Sequence, residues 1–284
     1  MSMLRKPHAY WRLDIPYGSL HDPGLMRFFS NIVAWPGSFT PGVFMLSHFP
    51  RFRSGASPGL VHKLGGLPWG LPARLWPICE ECGRPMSHLG QFPACSPDPN
   101  APVLPIGQDE VLFLFKCEWG SVCSFWDFAE GANRVFSLPR RELGEVPTQP
   151  PAVPTREGGE ALSILPELGI TLWLAQDDGA PVELEEAFYD YGRHKDLPDE
   201  IAYPHDGAFA WRTKVGGVPY WTVNGAQGQP SVPPGRLLLQ IDSWVKMGEG
   251  GQAVEVANFC SDGTAYVFID STQSPPVFSM IINR

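Results

Sequence analysis

The chain has 284 residues, enough for one large domain or two smaller ones, and 43% of them are hydrophobic against 18% charged. This balance excludes a disordered chain. The formal net charge of −9 opposes binding to nucleic acid, and the 30 glycines and 31 prolines favour many short elements over long helices.

The N-terminal region contains one helix signal. In HDPGLMRFFSNIVAWP, Asp22 is placed to cap a helix, Pro23 takes its first position and Pro36 follows its end. The residues before it lack the apolar run of a signal peptide, and no run in the chain approaches the roughly 20 apolar residues that cross a membrane. With six cysteines and no export signal, we predict a cytoplasmic protein without disulfides and without a membrane partner.

WPICEECGRPM, residues 76–86, contains a Cys-x-x-Cys pair followed by glycine. Glu80 and Glu81 lie between Cys79 and Cys82, and two carboxylates disfavour the thiolate that a redox centre needs. The Cys-x-x-Cys-Gly pattern is instead typical of a zinc knuckle, in which a tight turn brings two sulfurs to one ion. Such a knuckle supplies half of a tetrahedral site.

The other half of the site is predicted from LFKCEWGSVCSF. Here Cys117 follows the strand-like run VLFLF, and Cys123 comes six residues later, a wider spacing than usual. The prediction is one structural zinc held by four thiolates, with no open position for catalysis. Cys95 or His88 can replace one ligand, and reduced core thiols that bind no metal remain the alternative.

Five prolines occur in residues 139–160, PRRELGEVPTQPPAVPTREGGE, and they predict a linker. It separates an N-terminal half, 1–138, that contains the knuckle from a C-terminal half, 161–284, that contains an acidic segment.

The two halves share landmarks in the same order. KLGGLP begins at Lys63 and KVGGVP at Lys214, Gln91 in SHLGQF matches Gln240 in LLLQID, and Phe115 in VLFLFK matches Phe268 in AYVFID. Such near-constant offsets indicate an internal duplication. We interpret the glycine pairs as positions of positive φ or close backbone approach.

Apolar runs predict the strands, namely VLFLF, ITLWLA, RLLLQI, TAYVFI and VFSMII. The predicted class is α+β, rich in mostly antiparallel strands, with two internally repeated halves and a few short helices.

The acidic charge is concentrated between Arg156 and Glu200, where 12 acidic residues face 3 basic ones. Within it, PVELEEAFYDYG, residues 181–192, has apolar residues at helical spacing and Glu183, Glu186 and Asp190 on the opposite face. Such a segment attracts basic partners, although a solvated polar connector gives the same pattern.

The apparent catalytic motifs fail on context. GASPG, residues 55–59, matches the nucleophile pattern around Ser57, but Pro58 lacks the backbone N–H that an oxyanion hole needs. GEGGQA, residues 248–253, partly matches a dinucleotide fingerprint without the helix that should follow it, so we predict a hairpin loop. The seven histidines show no metal-ligand spacing, and we predict no enzymatic activity.

The stretch from KLGGLP through VLFLFKC to Cys123 resembles the YwqG-like family of bacterial proteins. More distantly, it is similar to the N-terminal part of programmed cell death protein 2. The shared features are Gly-Gly-x-Pro, the Cys-x-x-Cys-Gly-x-Pro knuckle, an apolar run ending in Gln, and an aromatic strand with further cysteines. LLLQIDS and DGTAYVFID match the C-terminal part of YwqG-like proteins, so the resemblance covers roughly residues 60–126 and 214–270.

The resemblance implies a binding protein. YwqG-like members that accompany toxin systems imply a toxin-immunity protein, whereas programmed cell death protein 2 implies a chaperone for a basic ribosomal protein. We predict that the chain binds a cognate toxin, such as a nuclease effector, or another basic protein. A hydrolase acting through an unrecognised His/Asp pair is a further alternative. The predicted partner contacts are Asp177, Asp178, Glu183, Glu186 and Asp190.

Overall fold

The computed structural model describes residues 44–55, 57–119, 123–152, 162–202, 213–221, 232–247, 251–260 and 263–283. These residues all belong to one unit, Gly42–Arg284. The helix predicted between Asp22 and Pro36 lies outside the described residues.

The first half of the chain forms strands separated by turns. They are β1 (Phe44–Ser54), β2 (Lys63–Leu64), β3 (Ser87–Pro93), β4 (Glu110–Lys116) and β5 (Asn133–Pro139). Single 3-10 turns occur at Ala73–Leu75 and Arg140–Glu142. The predicted strand VLFLF forms most of β4 and is confirmed.

The described residues of the second half form a long strand, three short helices and further strands. The strands are β6 (Leu168–Pro181), β7 (Lys214–Gly216), β8 (Arg236–Asp242), β9 (Trp244–Lys246), β10 (Ala253–Glu255), β11 (Thr264–Asp270) and β12 (Val277–Asn283). The helices are α1 (Glu185–Phe188), α2 (Tyr191–His194) and α3 (Asp199–Ala202). The four strands predicted in this half lie in β6, β8, β11 and β12 and are confirmed.

Ten of these strands form one sheet in the order β12-β11-β8-β7-β1-β6-β2-β3-β4-β5, and each paired neighbour is antiparallel. The strand-rich, antiparallel class with few short helices is therefore confirmed. β9 and β10 form a separate antiparallel pair, as expected for strands that flank a hairpin, although residues 248–250 of the loop lie outside the described residues. In the described part of the chain no helix is long and apolar enough to cross a membrane.

The sheet is organised around the antiparallel pair of β1 and β6. On the outer side of β1 the order is β7, β8, β11 and β12, and on the outer side of β6 it is β2, β3, β4 and β5. Each central strand therefore pairs with strands from the other half, because β2 pairs with β6 and β7 pairs with β1.

The two ends of the sheet, β5 and β12, approach each other. Asn133 donates a side-chain hydrogen bond to the carbonyl of Met280 at 3.0 Å, and the N–H of Ile282 donates to the carbonyl of Trp126 at 3.1 Å. The sheet thus curves around its main core, and every residue of β3 and β11 is buried. Burial on both faces explains why TAYVFI in β11 is almost continuously apolar instead of alternating.

Both Gly-Gly pairs have positive φ, with values of 60° and 62° at Gly65 and Gly66 and of 79° and 69° at Gly216 and Gly217. A Cβ atom at the second glycine of either pair would overlap a carboxylate, that of Glu167 at Gly66 and that of Asp178 at Gly217. The predicted backbone role of these glycines is therefore confirmed, and each pair makes room for an acidic side chain.

Each of these carboxylates pairs with a buried lysine. Lys63 Nζ lies 3.1 Å from Glu167 Oε2 and donates to the carbonyl of Leu67 at 2.8 Å. Lys214 Nζ lies 2.6 Å from Asp178 Oδ1 and donates to the carbonyl of Val218. Burial lowers the pKa of Lys214 to about 8, although the nearby Asp178 acts in the opposite direction.

The two glutamines that mark the repeated landmarks also have matching contacts. Gln91 accepts a hydrogen bond from the N–H of Trp69 at 2.8 Å, and Gln240 accepts one from the N–H of Tyr220 at 2.9 Å. Each glutamine therefore ties the end of a Gly-Gly turn to a buried strand, which satisfies backbone groups that the turn leaves without a strand partner.

The predicted helix over 181–192 is divided into shorter pieces. A 3-10 turn over Val182–Leu184 leads into α1, and α2 begins at Tyr191. The division falls at Asp190, whose Oδ1 accepts hydrogen bonds from the N–H groups of Gly192 and Arg193 at 2.8 and 3.2 Å. Asp190 therefore caps a new helix instead of continuing the first one.

Candidate metal centre

The four predicted cysteine ligands lie together. The Sγ atoms of Cys79, Cys82, Cys117 and Cys123 are all within 4.8 Å of one another. The first two lie in the turn before β3, Cys117 directly follows β4, and Cys123 lies in the loop before β5. All six cysteines are free.

The knuckle turn is built by its glycine. The N–H of Gly83 donates to the carbonyl of Cys79 at 2.9 Å, and the N–H of Cys79 donates to the carbonyl of Arg84 at 2.9 Å. Gly83 has φ of 67°, a conformation that residues with a Cβ rarely adopt. The sequence Cys-x-x-Cys-Gly therefore folds back on itself and places both sulfurs on one side of the turn.

Hydrogen bonds join the knuckle to the loop that carries the other two cysteines. Trp119 Nε1 donates to the carbonyl of Pro85 at 2.6 Å, and the carboxylate of Glu81 accepts from the N–H of Ser124 at 2.6 Å. Pairing of β3 with β4 brings Cys117 to the same place. These contacts explain how the wide spacing between Cys117 and Cys123 is accommodated.

The four sulfur atoms are close enough together to hold a metal ion. With Zn–S bonds of about 2.3 Å, the sulfurs of a regular tetrahedron lie about 3.8 Å apart, and Cys82 Sγ lies 3.7 Å from Cys117 Sγ. The Sγ atoms of the cluster lie at most 4.8 Å apart, which exceeds this ideal by about 1 Å. A movement of the cysteine side chains by about this amount toward one another would complete the site. Four thiolates fill the tetrahedral shell, which is the arrangement of a structural centre.

The thiols of this cluster differ in their environment. Cys79, Cys117 and Cys123 are buried, whereas Cys82 is at the surface. Burial raises the pKa of Cys117, and it raises the pKa of Cys123 to about 12. Burial acts in the same direction on Cys82, but hydrogen bonds from the Arg84 backbone and from neighbouring thiols outweigh it and lower its pKa. A bound cation would supply the charge that keeps all four thiolates together.

The two alternative ligands lie elsewhere. Cys95 is absent from the cluster, and its carbonyl accepts a hydrogen bond from Arg140 at 2.8 Å. His88 Nδ1 lies 3.1 and 3.2 Å from the carbonyls of Gly65 and Gly66, so it donates to the first Gly-Gly turn. His88 therefore belongs to the core, not to the metal centre.

His88 is expected to make the fold sensitive to acid. Burial, followed by the charge of Lys63, lowers its pKa from 6.5 to about 3. At a pH between these two values, the unfolded state binds a proton at His88 and the folded state does not. The contribution of neutral His88 to the free energy of unfolding is therefore highest above pH 6.5 and decreases as pH falls toward 3. We expect a loss of up to about 1.4 kcal/mol per pH unit in this window.

The test for His88 is urea unfolding of the wild type and of His88→Gln at pH 7 and at pH 4.5. The variant should show the smaller change in unfolding free energy between the two pH values. Both proteins retain the four cysteines, so proton competition for the thiolates cancels in the difference. Equal pH dependence of the two proteins would contradict the assignment.

The predicted partner contacts separate into two groups. Asp177, Glu183, Glu186 and Asp190 are exposed. Asp178 is fully buried in its ion pair with Lys214, so it is withdrawn from the set of partner contacts. Two adjacent aspartates on a strand point to opposite faces, and here only one of those faces is open to solvent.

Sequence reasoning missed the two buried lysines. The signal was present, since Lys63 and Lys214 are the first residues of the two matched Gly-Gly motifs. The position of these lysines at the start of each motif does not by itself predict burial, because lysine is among the residues least often fully buried.

Comparison with known proteins adds no assignment: no family model matches the chain, and no curated protein matches it. The resemblance to YwqG-like proteins therefore stays a prediction.

Proposed function

We propose that this chain is a non-enzymatic cytoplasmic protein that binds a basic protein partner, most specifically an immunity protein that neutralises a cognate toxin. The observation that carries the proposal is a cluster of exposed carboxylates at the end of β6 and in the helical turns after it. This acidic face consists of Asp177, Glu183, Glu186 and Asp190. An acidic surface accelerates encounter with a basic partner and can mimic the phosphates of a nuclease substrate.

The acidic face rests on a packed support. Phe188 and Ala187 are buried beneath it, and Phe188 packs with Ala180, Val218 and Tyr220. Trp221 Nε1 also donates to the carbonyl of Phe188 at 2.6 Å. A support of this kind holds the carboxylates in place before binding and so reduces the entropy lost on association.

One intramolecular cation already occupies the acidic face. Arg236 lies 2.6 Å from Glu186 and 3.8 Å from Glu185. Exposed ion pairs of this kind contribute little to stability, so a partner's arginine can replace Arg236 at low cost. This arrangement supports recognition of a cationic surface.

Reversal of charge on the acidic face is expected to abolish partner capture. The test uses the tagged protein as bait in cells of its own source, with mass spectrometry of partners recovered in stoichiometric amount. The variant Asp177→Lys, Glu183→Lys, Glu186→Lys leaves the capping residue Asp190 unchanged, and it should lose the partner or bind it at least about 10-fold more weakly.

The matched control reverses three exposed acids outside the face, in Asp109→Lys, Glu142→Lys, Glu145→Lys, and should retain the partner. A partner that binds both variants equally well would contradict the acidic face. A small basic effector protein would support the immunity function, whereas a ribosomal protein would support the chaperone alternative.

We also propose that the two halves arose by internal duplication and that one zinc stabilises only the first. Support for duplication comes from the matching outward strand order on the two sides of β1 and β6 and from the matching contacts of Lys63 and Lys214. Support for a single zinc comes from the cysteine cluster. The membership in a YwqG-like family belongs to the same proposal.

A further inference from the structure

A groove of about 330 Å³ lies beside the knuckle turn. One wall is the chain on either side of Cys79, with Trp76, Ile78 and Glu80, and the other is one face of β5, with Arg134 and Phe136. Its volume lies at the small end of the range for ligand sites, enough for a few side chains instead of a large cofactor.

The groove is held open by fixed contacts. The N–H of Glu80 donates to the carbonyl of Gly131 at 3.1 Å, which ties the knuckle wall to the start of β5. Below this contact, the ring centroids of Trp76 and Phe115 are 5.3 Å apart in an edge-on arrangement. The ring centroids of Phe115 and Phe136 are 6.1 Å apart, with the rings stacked. The apolar floor is therefore part of the packed core and is preformed.

The rim combines apolar and cationic surface. Ile78 is 45% exposed and presents apolar surface to the groove. Arg74 and Arg134 are both exposed and line the groove, and within the described residues neither forms an ion pair. Glu80 is the one acidic residue in the lining, so the arginines leave a positive balance in a chain whose net charge is negative.

We propose that this groove binds a short peptide segment of a partner protein in which an acidic residue lies next to apolar ones. Apolar side chains would cover Ile78 and Phe136, and the acidic side chain would pair with Arg74 or Arg134. Arginine favours carboxylate through paired, planar hydrogen bonds. The site is distinct from the acidic face and selects the opposite charge, so either proposal can fail without the other.

The test uses short random peptides displayed on phage and selected on the full-length protein. Selected peptides are then synthesised, and their dissociation constants are measured by fluorescence anisotropy. We expect the peptides to share an acidic residue beside apolar ones. Arg74→Glu and Arg134→Glu should each weaken their binding about 10-fold, and Ile78→Ser should weaken it through lost apolar contact.

The matched control is Arg141→Glu, which reverses an equally exposed arginine that does not line the groove. Its binding should stay within about twofold of the wild type, because an exposed charge that does not contact the peptide is screened by solvent and salt. All three groove positions are at the surface, and circular dichroism checks that each variant is folded. Peptides without a shared acidic residue, or peptides that bind the Arg74 and Arg134 variants as tightly as the wild type, would overturn the proposal.

Discussion

Asp178→Asn is expected to lower the free energy of unfolding by about 3–5 kcal/mol, the usual cost of removing one member of a buried ion pair. The carboxylate of Asp178 is completely buried. Besides Lys214 it accepts hydrogen bonds from the hydroxyl of Ser47 at 2.7 Å and the N–H of Val218 at 2.7 Å, and from the hydroxyl of Tyr220. Asparagine has nearly the same shape, but it leaves the charge of Lys214 without a counterion. Its side-chain NH2 group also cannot accept the hydrogen bonds that the carboxylate accepts.

The neighbouring residue supplies the control. Asp177→Asn changes an exposed carboxylate that accepts a local hydrogen bond from the N–H of Gly179, so it should change stability by less than about 0.5 kcal/mol. Urea unfolding of both variants measures the difference. Adding Lys214→Met to Asp178→Asn should recover part of the loss, because it removes the unpaired charge. Equal stabilities of the Asp177 and Asp178 variants would contradict the role of the pair.

Cys79→Ser is expected to abolish zinc binding and to lower stability by several kcal/mol. Purified wild-type protein should contain about one zinc per chain. In small zinc domains the apparent binding free energy is about 10–16 kcal/mol at pH 7, and much of it is folding free energy. In this larger fold most strands of the sheet lie outside the cluster, so the loss should be smaller and concentrated in the turn around Cys79 and Cys82.

The measurements for the metal centre are elemental analysis and thermal unfolding with and without a chelator. Cys95→Ser and Cys260→Ser are the controls, since neither residue belongs to the cluster, and both should retain the metal and the wild-type response to chelation. Metal-free wild-type protein, or a chelator that leaves the unfolding midpoint unchanged, would show that the four thiols are only core residues.

VLFLF and TAYVFI could be predicted from the sequence because they are buried on both faces and therefore apolar almost throughout. ITLWLA and VFSMII are partly exposed, but they are rich in β-branched and aromatic residues, which also predict strands. The cysteine cluster could be predicted because the knuckle is local and the second pair follows a recognisable strand. The pairing of β1 with β6 could not, since it depends on contacts more than 100 residues apart that leave no local pattern. The local charge pattern also could not distinguish Asp177 from Asp178, because the two residues are adjacent and differ only in burial, with Asp177 exposed and Asp178 buried.

The exchange of central strands also bears on how the chain reaches its native state. Since β2 completes its pairing on β6 and β7 on β1, neither half has a finished sheet until the other is present. Most stabilising contacts then join distant parts of the chain, a topology that folds slowly. Two fragments divided in the proline-rich segment should therefore form the native sheet only when they are mixed. During synthesis, the N-terminal half is expected to complete its sheet only after the C-terminal half has been made.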